Sequence, residues 1–280
     1  MPQLKVSIKT RPDDKDAILL WPVPAEDGAW HCQQVSTEGL PASQSLHAQN
    51  SSLGAQWARP EVTGTPFSIT YGFVPTSVTA AGVLPTDYWQ VQDNKHTQAS
   101  PELIEQVRSW VDPSSSQAQQ LHDLIHKTAD MFAYGHVEQR FTEGKAQVPS
   151  LCGITNGSCV DINTFLIAGA RKLGIKVQYL AGYWFHPERS HTHDMHCWLA
   201  FEVGNKALFW DVAHHLKWGV PDLHSGLNPA GGRRWLMSYG RGLVFDTPHG
   251  EVSISHFAEP VWVLADGSQW QPELHIDLTE

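Results

Sequence analysis

Cysteine is scarce in this sequence: there are four in 280 residues, Cys32, Cys152, Cys159 and Cys197, with no paired framework spacing. That excludes a disulfide-stapled scaffold and sets a reducing, cytoplasmic location as the expectation. No run approaches the roughly 20 apolar residues of a membrane-spanning helix. The N-terminal MPQLKVSIKTRPDDKD lacks the apolar core of a secretory signal. Basic residues are outnumbered, 19 Lys and Arg against 29 Asp and Glu, for a formal net charge of −10. Neither nucleic acid nor an anionic membrane surface is therefore expected as a partner. No internal repeat and no low-complexity tract is present.

What remains is a globular chain, 41% hydrophobic and 17% charged, long enough for one large domain or two ordinary ones. The first hundred residues read as β structure. LKVSIKT alternates, with Leu4, Val6 and Ile8 on one face; AILLWPVP is a short apolar run; PFSITYGFV is rich in β-branched and aromatic residues. Turn-rich stretches such as AEDG, TEGLPASQS and PEVTGTP separate them. The polar QDNKHTQASP marks a boundary near residues 95–101, giving an N-terminal β domain over 1–98 and a second domain over 99–280. Helices are expected over Pro101 to Val111 and Ser114 to Tyr134, the latter with Leu121, Leu124, Ile125, Ala129 and Phe132 on one stripe. A third helix precedes three strand-like runs, and Leu243 to Leu278 returns to short strands. The fold class this predicts is α+β.

The third helix carries the first chemical signal. In NGSCVDINTFLIAGARKLG, Ser158 and Asp161 form an S-x-x-D capping pattern, and Gly174 stands just past the opposite end. The body is apolar around most of its circumference, so the helix is expected to be buried. Cys159 then sits at its first turn, where unpaired N–H groups and the helix dipole favour a thiolate. A buried, inert cysteine would look the same, and position alone leaves both readings open.

The second signal is a base with an acceptor to orient it. DMHCWLAFEVGNKALFWDVAHH reads as two strands joined by a tight turn at Gly204-Asn205. If Val203 pairs with Lys206, Asp211 lies opposite Trp198 and shares a face with His196. A carboxylate beside the imidazole is the arrangement that nucleophilic cysteine catalysis uses.

GSCVDINTFLIAGARKLGIKVQYLAGY, then HCWLAFEV, then FWDVAHH together resemble the transglutaminase-like superfamily of papain-type cysteine enzymes. LLWPVPAEDGAWHCQQV is similar to the β domain that precedes the core in many bacterial members. The resemblance implies a central helix packed on an antiparallel sheet. It also implies Cys159 as nucleophile, His196 as general base and acid, and Asp211 as the residue that orients the imidazole. The implied reaction is acyl transfer from an amide or thioester through an acyl-enzyme, without cofactor or metal, on a peptide, protein or small-molecule substrate. Water and amine acceptors fit equally, as do peptidase, amidase and transamidase activities. Cys197, His214 and His215 depart from the family pattern and take no role from it.

Two other classes stay open. His191, His193 and His196 in HPERSHTHDMH resemble the H-x-H-x-D-H pattern of binuclear zinc hydrolases, with Asp194 one place early. A non-catalytic binding protein with this fold is the other. GLNPAGGRR, Gly226 to Arg234, is either an anion-binding loop or a turn with solvated charges, and Cys152 is either a second reactive thiol or a buried loop cysteine.

Overall fold

The structure, a computed structural model, describes residues 1–26, 28–60, 66–76, 84–89 and 92–280. Most of the PEVTGTP turn and one residue of AEDG lie outside the described residues. Among the described residues, the N-terminal third holds six strands: β1 (Gln3–Ile8), β2 (Ile18–Pro22), β3 (Trp30–Glu38), β4 (Gln44–His47), β5 (Gly54–Ala58) and β6 (Phe67–Pro75). The middle runs α1 (Pro101–Trp110), α2 (Gln117–Asp130), β7 (Phe132–Tyr134), β8 (Thr155–Gly157), α3 (Cys159–Lys172), β9 (Lys176–Phe185), β10 (His191–Thr192), β11 (Met195–Val203), β12 (Lys206–Trp210) and α4 (Val212–Trp218). The chain closes with β13 (Arg233–Tyr239), β14 (Leu243–Thr247), β15 (Gly250–Ile254), β16 (Val261–Val263), β17 (Gln269–Trp270) and β18 (Leu274–Thr279). The class is α+β, as the sequence pattern predicts, with an all-β N-terminal region.

Two compact units emerge: Met1–Gln90 with Ala181–His196 and Gly232–Glu280, and Val91–Leu180 with Cys197–Gly231. In the first, one sheet runs β10-β18-β1-β6-β3 and another β17-β16-β2-β5-β4. Alternation along β1 buries Leu4, Val6 and Ile8 and turns Lys5 and Ser7 to the polar face. β18 lies against β1 with Ile276 opposite Val6, and β16 lies against β2 with Trp262 opposite Leu19. The last strands thus complete sheets that the first strands begin. The closing strands find their hydrogen-bond partners more than two hundred residues earlier in the chain.

The second unit centres on α3, whose residues Cys159 to Ala170 are all buried. Phe165, fully buried, meets Trp110 at the end of α1 (ring centroids 5.8 Å apart) and Phe132 of β7 (6.0 Å). Burying one such ring contributes about 1.5–3 kcal/mol. Ser100 and Ser116 cap α1 and α2, accepting from the Leu103 and Gln119 amides, each at 3.2 Å. The second helix stops at Asp130 rather than Tyr134, because Phe132–Tyr134 pairs in parallel with Thr155–Gly157. β11 and β9 lie side by side in a four-stranded sheet of order β12-β11-β9-β13.

Candidate active site

The thiol of Cys159 is set by its cap. Asp161 Oδ2 accepts from the Ser158 amide (3.0 Å), from Ser158 Oγ (2.8 Å) and from Arg140 Nη1 (2.9 Å), and Arg140 also reaches Ser158 Oγ (3.1 Å). The carboxylate of the capping pattern therefore gathers three donors at the helix N-terminus and fixes the turn that presents Cys159. Gly157 is required just before it: a Cβ there would stand 2.9 Å from the Asp161 Cβ and 3.0 Å from the Phe132 ring. Cys159 itself is buried, 7% exposed.

Its neighbour is a second thiol. Cys197 on β11 is fully buried, beside Cys159 and Tyr179 of β9. One turn along α3 from Cys159, Asn163 Nδ2 donates to the Cys197 carbonyl (3.1 Å) and to its sulfur (3.3 Å). Burial, and then the adjacent Cys159 thiol, push Cys197 well above the ordinary thiol range. Cys197 therefore stays protonated and can donate its S–H to a Cys159 thiolate.

The β11–β12 hairpin has the register expected from the sequence: Val203 opposite Lys206 and Leu199 opposite Trp210. Both turn residues, Gly204 (φ 58°) and Asn205 (φ 62°), take positive φ, as a two-residue turn of the primed kind demands. β12 stops at Trp210, and FWDVAHH is not strand throughout: Asp211 becomes the N-cap of α4, its Oδ1 accepting from the His214 amide at 3.0 Å. The other carboxylate oxygen stands 3.1 Å from His214 Nδ1. One donor or acceptor atom each from His196, Asp211 and His214 lies within 4.8 Å of the others, all three residues buried. By distance this group could also hold a metal ion. His215 Nδ1 is spent on the Asp211 carbonyl, 2.9 Å away.

The structure thus makes two groupings, Cys159 with Cys197 and Asn163, and His196 with Asp211 and His214. They are tied together by chain connectivity, since His196 and Cys197 are consecutive residues of β11.

Residues 101–213 match the family model of the transglutaminase-like superfamily. This segment is a transglutaminase-like core. A cysteine protease candidate from Cytophaga hutchinsonii is 12% identical, with TM-score 0.50 over 99% of this chain and 97% of that one. The likeness is one of fold. The periplasmic domain of TgpA from Pseudomonas aeruginosa is more distant, at 9% identity and TM-score 0.34 over 79% of this chain and 92% of that one. No curated protein matches the sequence.

Around the transglutaminase-like core, several expectations need correction. Cys152 is exposed rather than a buried loop residue. The histidines of HPERSHTHDMH do not form one ligand set: only His196 joins the buried group, while His191 and His193 are exposed. In GLNPAGGRR, Gly226 bridges to Trp210 and Arg233 is paired with Glu280. Trp198 and Trp210 are core, 3% and 5% exposed. Sequence reasoning missed Asn163 and Tyr179 and left His214 unassigned. A polar residue four places after the thiol on an apolar helix, and an Asp-x-x-His closed by Gly219, were the available signals.

Proposed function

We propose that this protein is a cysteine-dependent acyltransferase or hydrolase acting on amide or thioester bonds. Cys159 is the nucleophile, His196 the general base and acid, and Asp211 the residue that orients the imidazole. The observation that supports the reading is the buried group of His196, Asp211 and His214, together with a thiol, Cys159, at the capped N-terminus of the buried helix α3. The α3 N-terminus and a protonated Cys197 both favour a thiolate at Cys159. His196 takes the thiol proton, the sulfur attacks the carbonyl carbon, and the tetrahedral oxyanion receives the Cys159 backbone N–H. The imidazolium then returns its proton to the departing amine, or to a departing thiolate. Water or a primary amine, deprotonated by His196, attacks the thioester and releases free Cys159. Asp211, held on both oxygens at the start of α4, accepts from His196 and stabilises the imidazolium.

Peptides and proteins are the substrate class that the transglutaminase-like core favours. The test is a screen of labelled peptides with and without a primary amine, read by mass spectrometry for hydrolysis, amine incorporation and an acyl adduct on Cys159. Amine-dependent product identifies a transamidase, and its absence beside hydrolysis a peptidase or amidase. Turnover that persists in Cys159→Ala would overturn the thiol mechanism.

A further inference from the structure

The histidines that the candidate active site leaves out form a group of their own. β10 pairs antiparallel with β18, His191 opposite Asp277 and Thr192 opposite Ile276. One further step in that register sets His193 opposite His275. Alternate residues of a strand share a face, so His191, His193, His275 and Asp277 stand together on the polar face of the sheet edge. The side chains follow the backbone: ring centroids are 6.0 Å apart for His191 and His193, 5.8 Å for His191 and His275, and 4.9 Å for His193 and His275. These are the spacings of imidazoles that share an ion. With Zn–N near 2.0–2.1 Å, a ring centre lies ~3.2 Å from the metal, and two rings at a tetrahedral angle stand ~5.2 Å apart.

Two of the rings also have a nitrogen already assigned. His275 Nε2 is 3.0 Å from Asp277 Oδ1, the carboxylate partner that fixes a ligand ring and its tautomer. That leaves Nδ1 with its lone pair. His193 Nδ1 is 3.3 Å from the Leu274 carbonyl, so it carries the proton and leaves Nε2 bare. Lys5 of β1, opposite Asp277 in the register, is paired with Glu38 at 3.2 Å. The donor atoms do not converge as closely as those of His196, Asp211 and His214. Ligation requires His191 and His193, both exposed, to rotate toward His275.

We propose that His191, His193 and His275 form a surface site for a divalent transition metal of the zinc class. Asp277 orients His275, and water completes the coordination. Neutral imidazoles select such ions over magnesium or calcium. The ion would clip the two-residue β10 to the edge strand β18. It plays no part in the acyl-transfer chemistry, and the site stands whether or not that reading holds.

The test is zinc binding to the full chain by titration calorimetry, comparing wild type with His193→Ala/His275→Ala and with His214→Gln. We expect one zinc per chain in wild type and in His214→Gln, and affinity at least tenfold weaker in the double variant. Saturating zinc should raise the unfolding midpoint of wild type and leave that of the double variant unmoved. Cobalt(II) in place of zinc should give a spectrum free of thiolate charge-transfer bands, which separates histidine from cysteine ligation. Wild-type affinity in the double variant, loss of binding in His214→Gln instead, thiolate bands, or no stoichiometric binding at all would each overturn the proposal.

Discussion

His193 and His196 are three residues apart in the chain and stand in different surroundings. His193 stands exposed on the sheet edge with His191 and His275, held by one backbone carbonyl. His196 is 6% exposed and shares its surroundings with a carboxylate that is fully buried. In the buried group Asp211 is anchored on both oxygens by His214 of α4, a geometry that suits the proton transfer proposed for it. The exposed group faces solvent, which suits the capture of an ion. The motif HPERSHTHDMH does not separate these roles. The partner strand does, β18 supplying His275 and Asp277 on one side, and the end of β12 supplying Asp211 on the other.

The comparison breaks first if the buried group proves dispensable. Cys159→Ala and His196→Ala should each lower turnover by about 10³-fold or more with the circular dichroism unchanged. Asp211→Asn should cost about 10²–10⁴-fold in kcat, with a smaller change in KM, because an amide can offer an N–H where an acceptor is needed. Asp211→Ala would in addition remove the α4 cap, for a loss of about 1 kcal/mol in unfolding free energy measured by denaturant.

Between the two histidines lie Asp194 and Met195, and Glu259 addresses both. Its carboxyl is raised to about 7 from an ordinary 4.5, by burial first and then by the Asp194 charge, against a hydrogen bond from the Met195 amide. Between those two pH values the folded chain holds a proton that the unfolded chain has released. Stability from this group is therefore greatest below about pH 4.5 and falls as pH rises toward 7, by at most about 3 kcal/mol before solvent screening of a partly exposed side chain. Glu259→Gln should flatten that slope, and denaturation midpoints at pH 5 and pH 8 would read it; an unchanged slope assigns the pH dependence to other groups. The smallest effect belongs to the exposed group: removing metal with a chelator should leave turnover within about twofold, since no step of the acyl transfer uses an ion. A chelator that abolishes turnover would move the chemistry to a metal.

Local pattern carried much of this fold. β1, β2 and β6 follow from alternation and β-branched content, and α1 to α3 follow from apolar stripes with serine caps. The hairpin register was legible because Gly204-Asn205 fixes it from a single turn. What stayed hidden depends on distant partners. Nothing near Leu274–Thr279 says that it will pair with Gln3–Ile8, and so nothing there announces His275 as a neighbour of His193. α4 was obscured because seven residues of VAHHLKW follow a strand without a break in hydrophobicity. Cys197 could be seen but not interpreted, since its contact with Cys159 depends on how β11 packs on α3.

The central claim concerns which thiol reacts, and two cysteines seven residues apart make the contrast sharp. Cys152 is exposed and Cys159 is buried, so accessibility alone favours Cys152. The decisive measurement is the pH dependence of iodoacetamide labelling at each cysteine, followed by peptide mapping, in wild type and Asp211→Asn. The account predicts that Cys159 is labelled first at about pH 5.5, where an ordinary thiol is unreactive, and that Asp211→Asn shifts its profile to higher pH. Preferential labelling of Cys152, with Cys159 silent until the ordinary thiol range, would contradict it.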